Sequence, residues 1–176
     1  MSGLARALPV LAMVLVVASS NVLVQFPIND WLTWGALTYP VSFLVTDLTT
    51  RFQGPGRARR VVLVGFILAV LLSIWLATPR IALASGTAFL AAQLLDIAVF
   101  QRLRGGSWWR APLLSSTIGS TVDTALFFSL AFAGTGLPWI TLALGDLAVK
   151  LGLAVVALGP FGAALRLAAR PSTVAG

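Results

Sequence analysis

Six apolar stretches constrain what this chain can fold into more than any other feature of the sequence. They run over residues 7–26, 32–50, 61–78, 81–100, 111–133 and 138–165. A helix needs about 20 apolar residues to cross the hydrocarbon core of a bilayer, and each stretch is close to that length or longer. The pattern predicts an all-α, polytopic membrane protein of six transmembrane helices, in a single domain over residues 1–176. In the last and longest stretch, Gly159 and Pro160 are expected to kink or end the helix.

The composition agrees with a lipid environment. Hydrophobic residues make up 59% of the chain and charged residues only 10%. Soluble domains carry about 25% charged residues, and a domain of this size still exposes much of its surface. We therefore expect a chain this apolar to be embedded in the lipid bilayer, which is its partner.

Positive charge falls on one side of the predicted bundle. The segments on that side carry Arg6, Arg51, Arg57, Arg59, Arg60, Arg102, Arg104, Arg110, Arg166 and Arg170. The other side carries only Arg80, and Lys150 lies within the last apolar stretch. Because positively charged loops are retained in the cytoplasm, the N and C termini are both predicted to be cytoplasmic. The net charge of +7 then reflects topology, and no nucleic-acid partner is expected.

The chain lacks the side chains that carry much of enzyme and metal chemistry. It has no Cys and no His, and its five acidic residues are all Asp. Disulfides, thiol or imidazole nucleophiles and Cys or His metal ligands are therefore excluded. We expect neither a metal nor a cofactor, and no catalytic residues. An intramembrane enzyme that uses two Asp residues as acid and base, and a scaffold protein that transports nothing, are the alternatives from other functional classes.

Charged side chains nevertheless occur inside the predicted spans. An ionised side chain at the centre of a bilayer costs about 2.5–3.5 kcal/mol, so it faces a protein interior or a wet cavity. Asp47 precedes Arg51 by four residues, which predicts an ion pair that gates or anchors the inner rim. Asp146 and Lys150 have the same spacing near the middle of the sixth span. Whether this second pair is structural or functional stays open.

Polar residues extend these charges into a shared face. Spans five and six form a hairpin around Gly134 and Gly136, which brings Asp123 to the depth of Asp146 and Lys150. The other polar or aromatic positions predicted to line a common cavity are Asn21, Tyr39, Phe89, Gln93, Asp96, Ser116 and Ser120. Carboxylates and amides suit a planar, polar and largely neutral molecule, such as the donor-rich edge of a nucleobase.

Three blocks of sequence carry a specific resemblance. They are TYPVSFLVTDLTTRF, ASGTAFLAAQLLDIAVFQRLR and WWRAPLLSSTIGSTVDTALFFSLAF. With them the chain resembles the queuosine precursor transporter family, also called the vitamin uptake transporter family, from about Ser20 to Lys150. The resemblance implies a multi-pass protein of the bacterial inner membrane. It would import 7-cyano-7-deazaguanine, 7-aminomethyl-7-deazaguanine or both, for the modified tRNA base queuosine.

The resemblance also implies a fold and a mechanism. The fold would be like that of the substrate-binding subunits of energy-coupling-factor transporters. Those subunits carry small residues four apart on the first helix, whereas Ala7, Ala12 and Ala18 are not so spaced. We therefore expect a stand-alone carrier without an energy-coupling module, and the ATP-driven binding subunit is the alternative. A homo-oligomer is left open.

In the expected mechanism, the small-molecule 7-deazaguanine substrate enters the midplane cavity. Asp123 or Asp96 accepts hydrogen bonds from the ring N–H and the exocyclic amine. Gln93 and Asn21 supply further polar contacts, and an aromatic side chain such as Tyr39, Phe89 or Trp139 covers the ring. Lys150 and Asp146 hold spans five and six together or relay a proton.

Overall fold

The computed structural model describes residues 3–23, 26–29, 32–76 and 78–169. Its elements, in chain order, are α1 (Gly3–Leu23), β1 (Pro27–Asn29), β2 (Leu32–Thr33), α2 (Trp34–Thr38), α3 (Val41–Gln53), α4 (Pro55–Leu76), α5 (Pro79–Leu103), α6 (Arg110–Phe132) and α7 (Trp139–Ala169). The helices α4 to α7 are long and apolar enough to cross a membrane, and α1 contains a shorter apolar segment, Ala7–Leu23. An all-α membrane protein is thus confirmed. The count of six spans and the position of the termini stay predictions.

The second predicted span is not one continuous helix. Residues 32–33 pair with β1 in a short antiparallel hairpin, α2 ends at Thr38, and α3 begins at Val41. Pro40 sits between the two helices and has no N–H to donate to the preceding turn. The break therefore has a local cause, and it places Tyr39 at a corner between helices.

The arginine-rich segment after α3 is helical, although the sequence suggested a loop. Only Gly54 separates α3 from α4, and its positive φ of 84° suits a glycine after a helix end. Pro55 then opens α4, because a proline at the first helical position loses no hydrogen bond. Arg57, Arg59 and Arg60 consequently lie in the first turns of α4. Arg170, from the same charge pattern, lies outside the described residues.

The last helix does not end at Gly159 and Pro160, one of the two alternatives predicted for these residues. Helix α7 continues through Pro160 to Ala169, and the other alternative, a kink, stays a prediction. Near this end, the Gly162 backbone packs closely against the Trp108 ring, which lies between α5 and α6. The ends of α3 and α5 and the starts of α4 and α6 gather on the same side, where Arg51 donates to the carbonyl of Arg104. We call this side the arginine end.

Close packing of α5 on α6 forms the centre of the bundle. These two helices make the most extensive contact of any described pair. Ala84, Ala88 and Ala92 are buried on α5, as small residues are where membrane helices approach closely. At Gly119 of α6, a Cβ atom would lie 2.7 Å from the Phe43 ring and 3.4 Å from the carbonyl oxygen of Ala92. Gly119 therefore lets α3, α5 and α6 meet.

We predict that Gly119→Ala destabilises the bundle by about 1–3 kcal/mol, because the added methyl group overpacks a site bounded by a buried ring and a backbone carbonyl. Thermal unfolding followed by tryptophan fluorescence and by size-exclusion profile would measure the loss. Gly152→Ala on α7 is the matched control, since its added Cβ would meet nothing within 4 Å. Equal stability of the two variants would contradict the packing role of Gly119.

Candidate functional site

The ammonium of Lys150 on α7 contacts two carboxylates in the interior. Its Nζ lies 2.7 Å from Oδ2 of Asp123 on α6 and 2.5 Å from Oδ2 of Asp146, one turn earlier on α7. Thr124 accepts a hydrogen bond from Lys150 and donates one to Asp146. The predicted Asp146–Lys150 contact is therefore present, with Asp123 joined to it. We call these four residues the Lys150 cluster.

Tyr39 joins the Lys150 cluster to the rest of the bundle. Its hydroxyl donates to Oδ1 of Asp123 at 2.9 Å, and the Lys150 ammonium lies 5.4 Å from the centre of its ring. The same ring makes edge contacts with Phe43 on α3 and Phe89 on α5, at centroid distances of 6.4 and 6.2 Å. The helix break at Pro40 thus puts one side chain in contact with four helices.

Gln93 on α5 lies between two hydroxyl groups of α3. Its Oε1 accepts from Thr46 at 2.6 Å, and its Nε2 donates to Ser42 at 2.9 Å. Gln93, Ser42 and Thr46 are all fully buried. In this arrangement the amide of Gln93 is used to bind α3 to α5. A ligand that used the amide would have to replace these two hydrogen bonds.

Asp47 does not form the predicted pair with Arg51. Its two oxygens accept hydrogen bonds from Ser115 at 3.0 Å and from Ser116 at 3.1 Å, both on α6. Arg51 instead reaches the carbonyl of Arg104 at the arginine end. The i, i+4 spacing made the pair possible on one helix, but Asp47 is 2% exposed and faces α6. The predicted ion pair between Asp47 and Arg51 is therefore wrong.

Asp96 on α5 lies beside Asp47 and Ser115 and is fully buried. Neither of its oxygens accepts a hydrogen bond from a donor in the described part of the chain. The structure thus contains two separate groups of charged residues. One is the Lys150 cluster, and the other is the Asp47–Asp96 pair nearer the arginine end.

A small cavity lies between these groups. Pro40, Phe43, Leu44, Ser116, Ser120, Lys150, Ala154 and Ala157 line it. Its volume of about 10 Å³ is close to what a single water molecule needs. Ser116 and Ser120 line this small cavity together with Lys150, and their predicted place in a larger substrate cavity stays a prediction.

The remaining predicted contact residues have other surroundings. Asn21 on α1 donates to the carbonyl of Val17 on its own helix at 2.9 Å, and it is half-buried. Phe89 is buried in an apolar cluster with Met13 and Val17 of α1 and contacts Tyr39. The structure thus brings Tyr39, Asp123 and Lys150 into one group, whereas the hydrogen bond from Asn21 to the Val17 carbonyl stays within α1. Their roles toward a ligand stay predictions.

Two polar contacts escaped the sequence analysis. The sequence pattern indicated Ser116 but not the neighbouring Ser115, although the hydroxyls of both donate to Asp47. Arg80, noted only for its side of the membrane, donates to the carbonyls of Leu130 at 2.8 Å and Ala133 at 2.6 Å. It thereby satisfies carbonyl groups that the end of α6 leaves without helical partners. No sequence spacing connects residues 50 positions apart, so only the fold shows this contact.

The donor set favours an organic ligand over a metal ion. Among the described residues, no group of three or more acidic side chains converges on one point. Hard cations in proteins take six or more oxygen ligands, a requirement that two carboxylates do not meet. The interior instead offers carboxylate, hydroxyl and amide groups beside aromatic rings, which can bind N–H and C=O groups of a flat heterocycle.

Comparisons with known proteins agree on one family. The family model described as "Putative vitamin uptake transporter" matches residues 33–78 and 71–164. The "Probable queuosine precursor transporter" of Haemophilus influenzae is 35% identical, over 89% of this chain and 85% of the relative. The "Queuosine precursor transporter" of Escherichia coli K12 is 37% identical, over 81% of this chain and 77% of the relative. No solved structure matches significantly.

We predict that Lys150→Met destabilises the protein more than Asp123→Asn does. Removing the ammonium leaves the buried Asp123 and the partly buried Asp146 without a cation, and breaking a buried pair costs about 3–5 kcal/mol. Asp123→Asn removes one carboxylate and leaves Lys150 paired with Asp146. Thermal unfolding of the detergent-solubilised variants gives the order. A Lys150→Met variant as stable as wild type would show that the ammonium does not hold α6 to α7.

Proposed function

Because the chain belongs to the queuosine precursor transporter family, also described as vitamin uptake transporters, we propose that it imports a queuosine precursor across the bacterial inner membrane. It is a multi-pass protein of that membrane. The names of its relatives describe the cargo only as a queuosine precursor. The finer proposal is that the cargo is 7-cyano-7-deazaguanine, 7-aminomethyl-7-deazaguanine or both.

The observation that carries this proposal is the environment of Asp123. Its carboxylate is 4% exposed, and it binds the Tyr39 hydroxyl through one oxygen and the Lys150 ammonium through the other. A deazaguanine presents a ring N–H and an exocyclic amine on one edge, and a carboxylate can accept from both. The cargo edge would take the place of the Tyr39 hydroxyl on Asp123, while Lys150 keeps its contact with the other carboxylate oxygen.

Asp123 suits this role better than Asp96, the other carboxylate considered. Asp123 binds Lys150, whose side chain lines the cavity together with Ser116 and Ser120. Asp96 instead lies against Asp47 and Ser115. In this proposal Tyr39 and Phe89, whose rings contact each other, pack on the ring face of the cargo, and Gln93 supplies an amide.

Cargo entry requires the bundle to open. Pockets that enclose a small molecule have volumes of roughly 300–1,000 Å³, far above the size of the cavity beside Lys150. The cargo must therefore form hydrogen bonds with Asp123 and Gln93 in place of those that these two side chains now make within the protein. Transporters commonly achieve such exchange by moving one group of helices against another around a midplane site. Here α3, with Phe43, α6, with Ser116 and Ser120, and α7, with Lys150, all line the cavity.

We further propose that the chain works alone. Ala7, Ala12 and Ala18 of α1 are not spaced four residues apart, which argues against docking to an energy-coupling module. Purification from the native membrane tests this directly, because an ATP-driven importer would copurify with its ATPase subunits. A second copy of the chain in the purified carrier would not affect the proposal.

We predict that Asp123→Asn abolishes import while the protein still folds in the membrane, since an amide accepts on only one atom. The host should neither make nor import queuosine precursors, and queuosine in its tRNA is measured after supply of 7-cyano-7-deazaguanine. Thr121→Val is the matched control, because this exposed α6 hydroxyl bonds to the Thr117 carbonyl of its own helix. Wild-type queuosine levels in Asp123→Asn cells would rule out Asp123 as a cargo ligand. No queuosine with verified wild-type protein would refute the proposed cargo or the stand-alone mechanism.

A further inference from the structure

Asp47 and Asp96 form a pair of buried carboxyl groups that the cargo site does not use. Asp47 on α3 is 2% exposed, and Asp96 on α5 is fully buried. Asp47 accepts from Ser115 and Ser116 of α6, and the Asp96 side chain lies beside Gly119, one turn further along α6, so the two carboxyl groups are neighbours across the α3–α5 contact. Two neighbouring carboxylates in a medium of low polarity repel each other, so both do not stay ionised. The pair therefore needs a bound cation or a proton.

The hydrogen bonds of the two groups are unequal. Asp47 accepts from the hydroxyls of Ser115 and Ser116, which stabilise an ionised carboxylate. Both oxygens of Asp96 are without a donor in the described residues. A buried acceptor without a donor is destabilising, whereas a protonated carboxyl group carries a donor of its own. One proton, held on Asp96 and donated toward Asp47, would satisfy both side chains.

The charged groups of the surrounding helices have other partners or positions. Both ion pairs within the described residues are made by Lys150 of α7, with Asp123 and Asp146. On α3 itself, Arg51 donates to the carbonyl of Arg104. The other charged residues described on the packed helices lie within two turns of a helix end: Arg57, Arg59 and Arg60 of α4, Arg80 and Arg102 of α5, Arg110 of α6 and Arg166 of α7.

A metal ion fits the pair less well than a proton. No third acidic side chain joins the pair in the part of the chain that the structure describes. The two carboxylates alone offer four oxygens, fewer than the roughly six to eight that Ca²⁺ takes, and the two serine hydroxyls already donate to Asp47.

We propose that the Asp47–Asp96 pair binds one proton in the packed bundle and releases it when α3 and α5 separate, so that a proton gradient drives import. The coupling to import rests on the proposed function, whereas the binding of a proton by this pair does not. Ser116 links the two sites, because its hydroxyl binds Asp47 while its side chain lines the cavity beside Lys150. Cargo that displaces this wall also removes a hydrogen bond from Asp47. Water can then reach both carboxylates and hydrate them, and the proton leaves.

Transport by the purified full chain in liposomes tests the coupling. With the membrane potential clamped by valinomycin and equal potassium, an interior one pH unit more alkaline supports about tenfold accumulation of labelled 7-cyano-7-deazaguanine at one proton per cargo. Asp96→Asn should reach only equal concentrations on the two sides while still exchanging labelled for unlabelled cargo. Asp96→Glu, which restores a titratable group, should recover part of the accumulation. Thr49→Val, a buried α3 position whose hydroxyl bonds to Val45 of its own helix, should behave as wild type.

Infrared spectroscopy of the same proteins, in the absence of cargo, tests whether the Asp47–Asp96 pair holds a proton. Wild type and Thr49→Val should show the carbonyl stretch of a protonated carboxylic acid at neutral pH, and Asp96→Asn should lose it. Tenfold accumulation by Asp96→Asn, accumulation driven by sodium in place of protons, or an infrared band that survives Asp96→Asn would each overturn the proposal. If wild type moves no 7-cyano-7-deazaguanine, the proposed cargo fails, and the infrared comparison still decides whether the pair holds a proton.

Discussion

The contact between one buried ammonium and two carboxylates is the interaction on which the interior of this protein depends. Lys150, Asp123 and Asp146 lie in spans where an isolated charge is expensive, and each reduces that cost for the others. The contact also determines which helices are neighbours, since it connects α6 to α7 and, through Tyr39, to the corner between α2 and α3. Apolar packing alone would hold helices together, but it would not specify this arrangement.

The hydrogen bonds of the interior are satisfied almost entirely within the protein. Gln93 binds hydroxyls of α3, Asp47 binds hydroxyls of α6, and Asp123 binds Tyr39 and Lys150. A cargo molecule bound at the proposed site would therefore replace internal hydrogen bonds, and a molecule that lacks the matching donors would leave buried groups unpaired. Sites of this kind discriminate strongly against analogues that lack a hydrogen-bonding group. Selectivity for a particular purine-like ring would thus arise from the same bonds that keep the bundle closed.

Prediction from the sequence succeeded where the relevant residues were close together in the chain. Asp146 and Lys150 share a helix face at i, i+4, and the Gly134–Gly136 turn brings α6 back along α7, so their contact with Asp123 could be anticipated. The same spacing failed for Asp47 and Arg51. A spacing of four shows that two side chains can meet, but Ser115 and Ser116 from another helix compete for Asp47. The break at Pro40 was also missed, because the apolar run continues through it without interruption.

The sequence by itself determined that this is a helical membrane protein, that its charges lie mostly at one side, and that a few acidic residues must be buried. These properties follow from hydropathy and charge, which are sums over neighbouring residues and need no knowledge of packing. Only the tertiary structure decided which buried acid meets which partner: Asp123 meets Lys150 and Tyr39, whereas Asp96 meets Asp47. Those contacts join residues from different helices, and their choice depends on how helices rotate and approach at positions such as Gly119. Rotation about a helix axis leaves the hydropathy of the span unchanged, so the linear pattern cannot contain it.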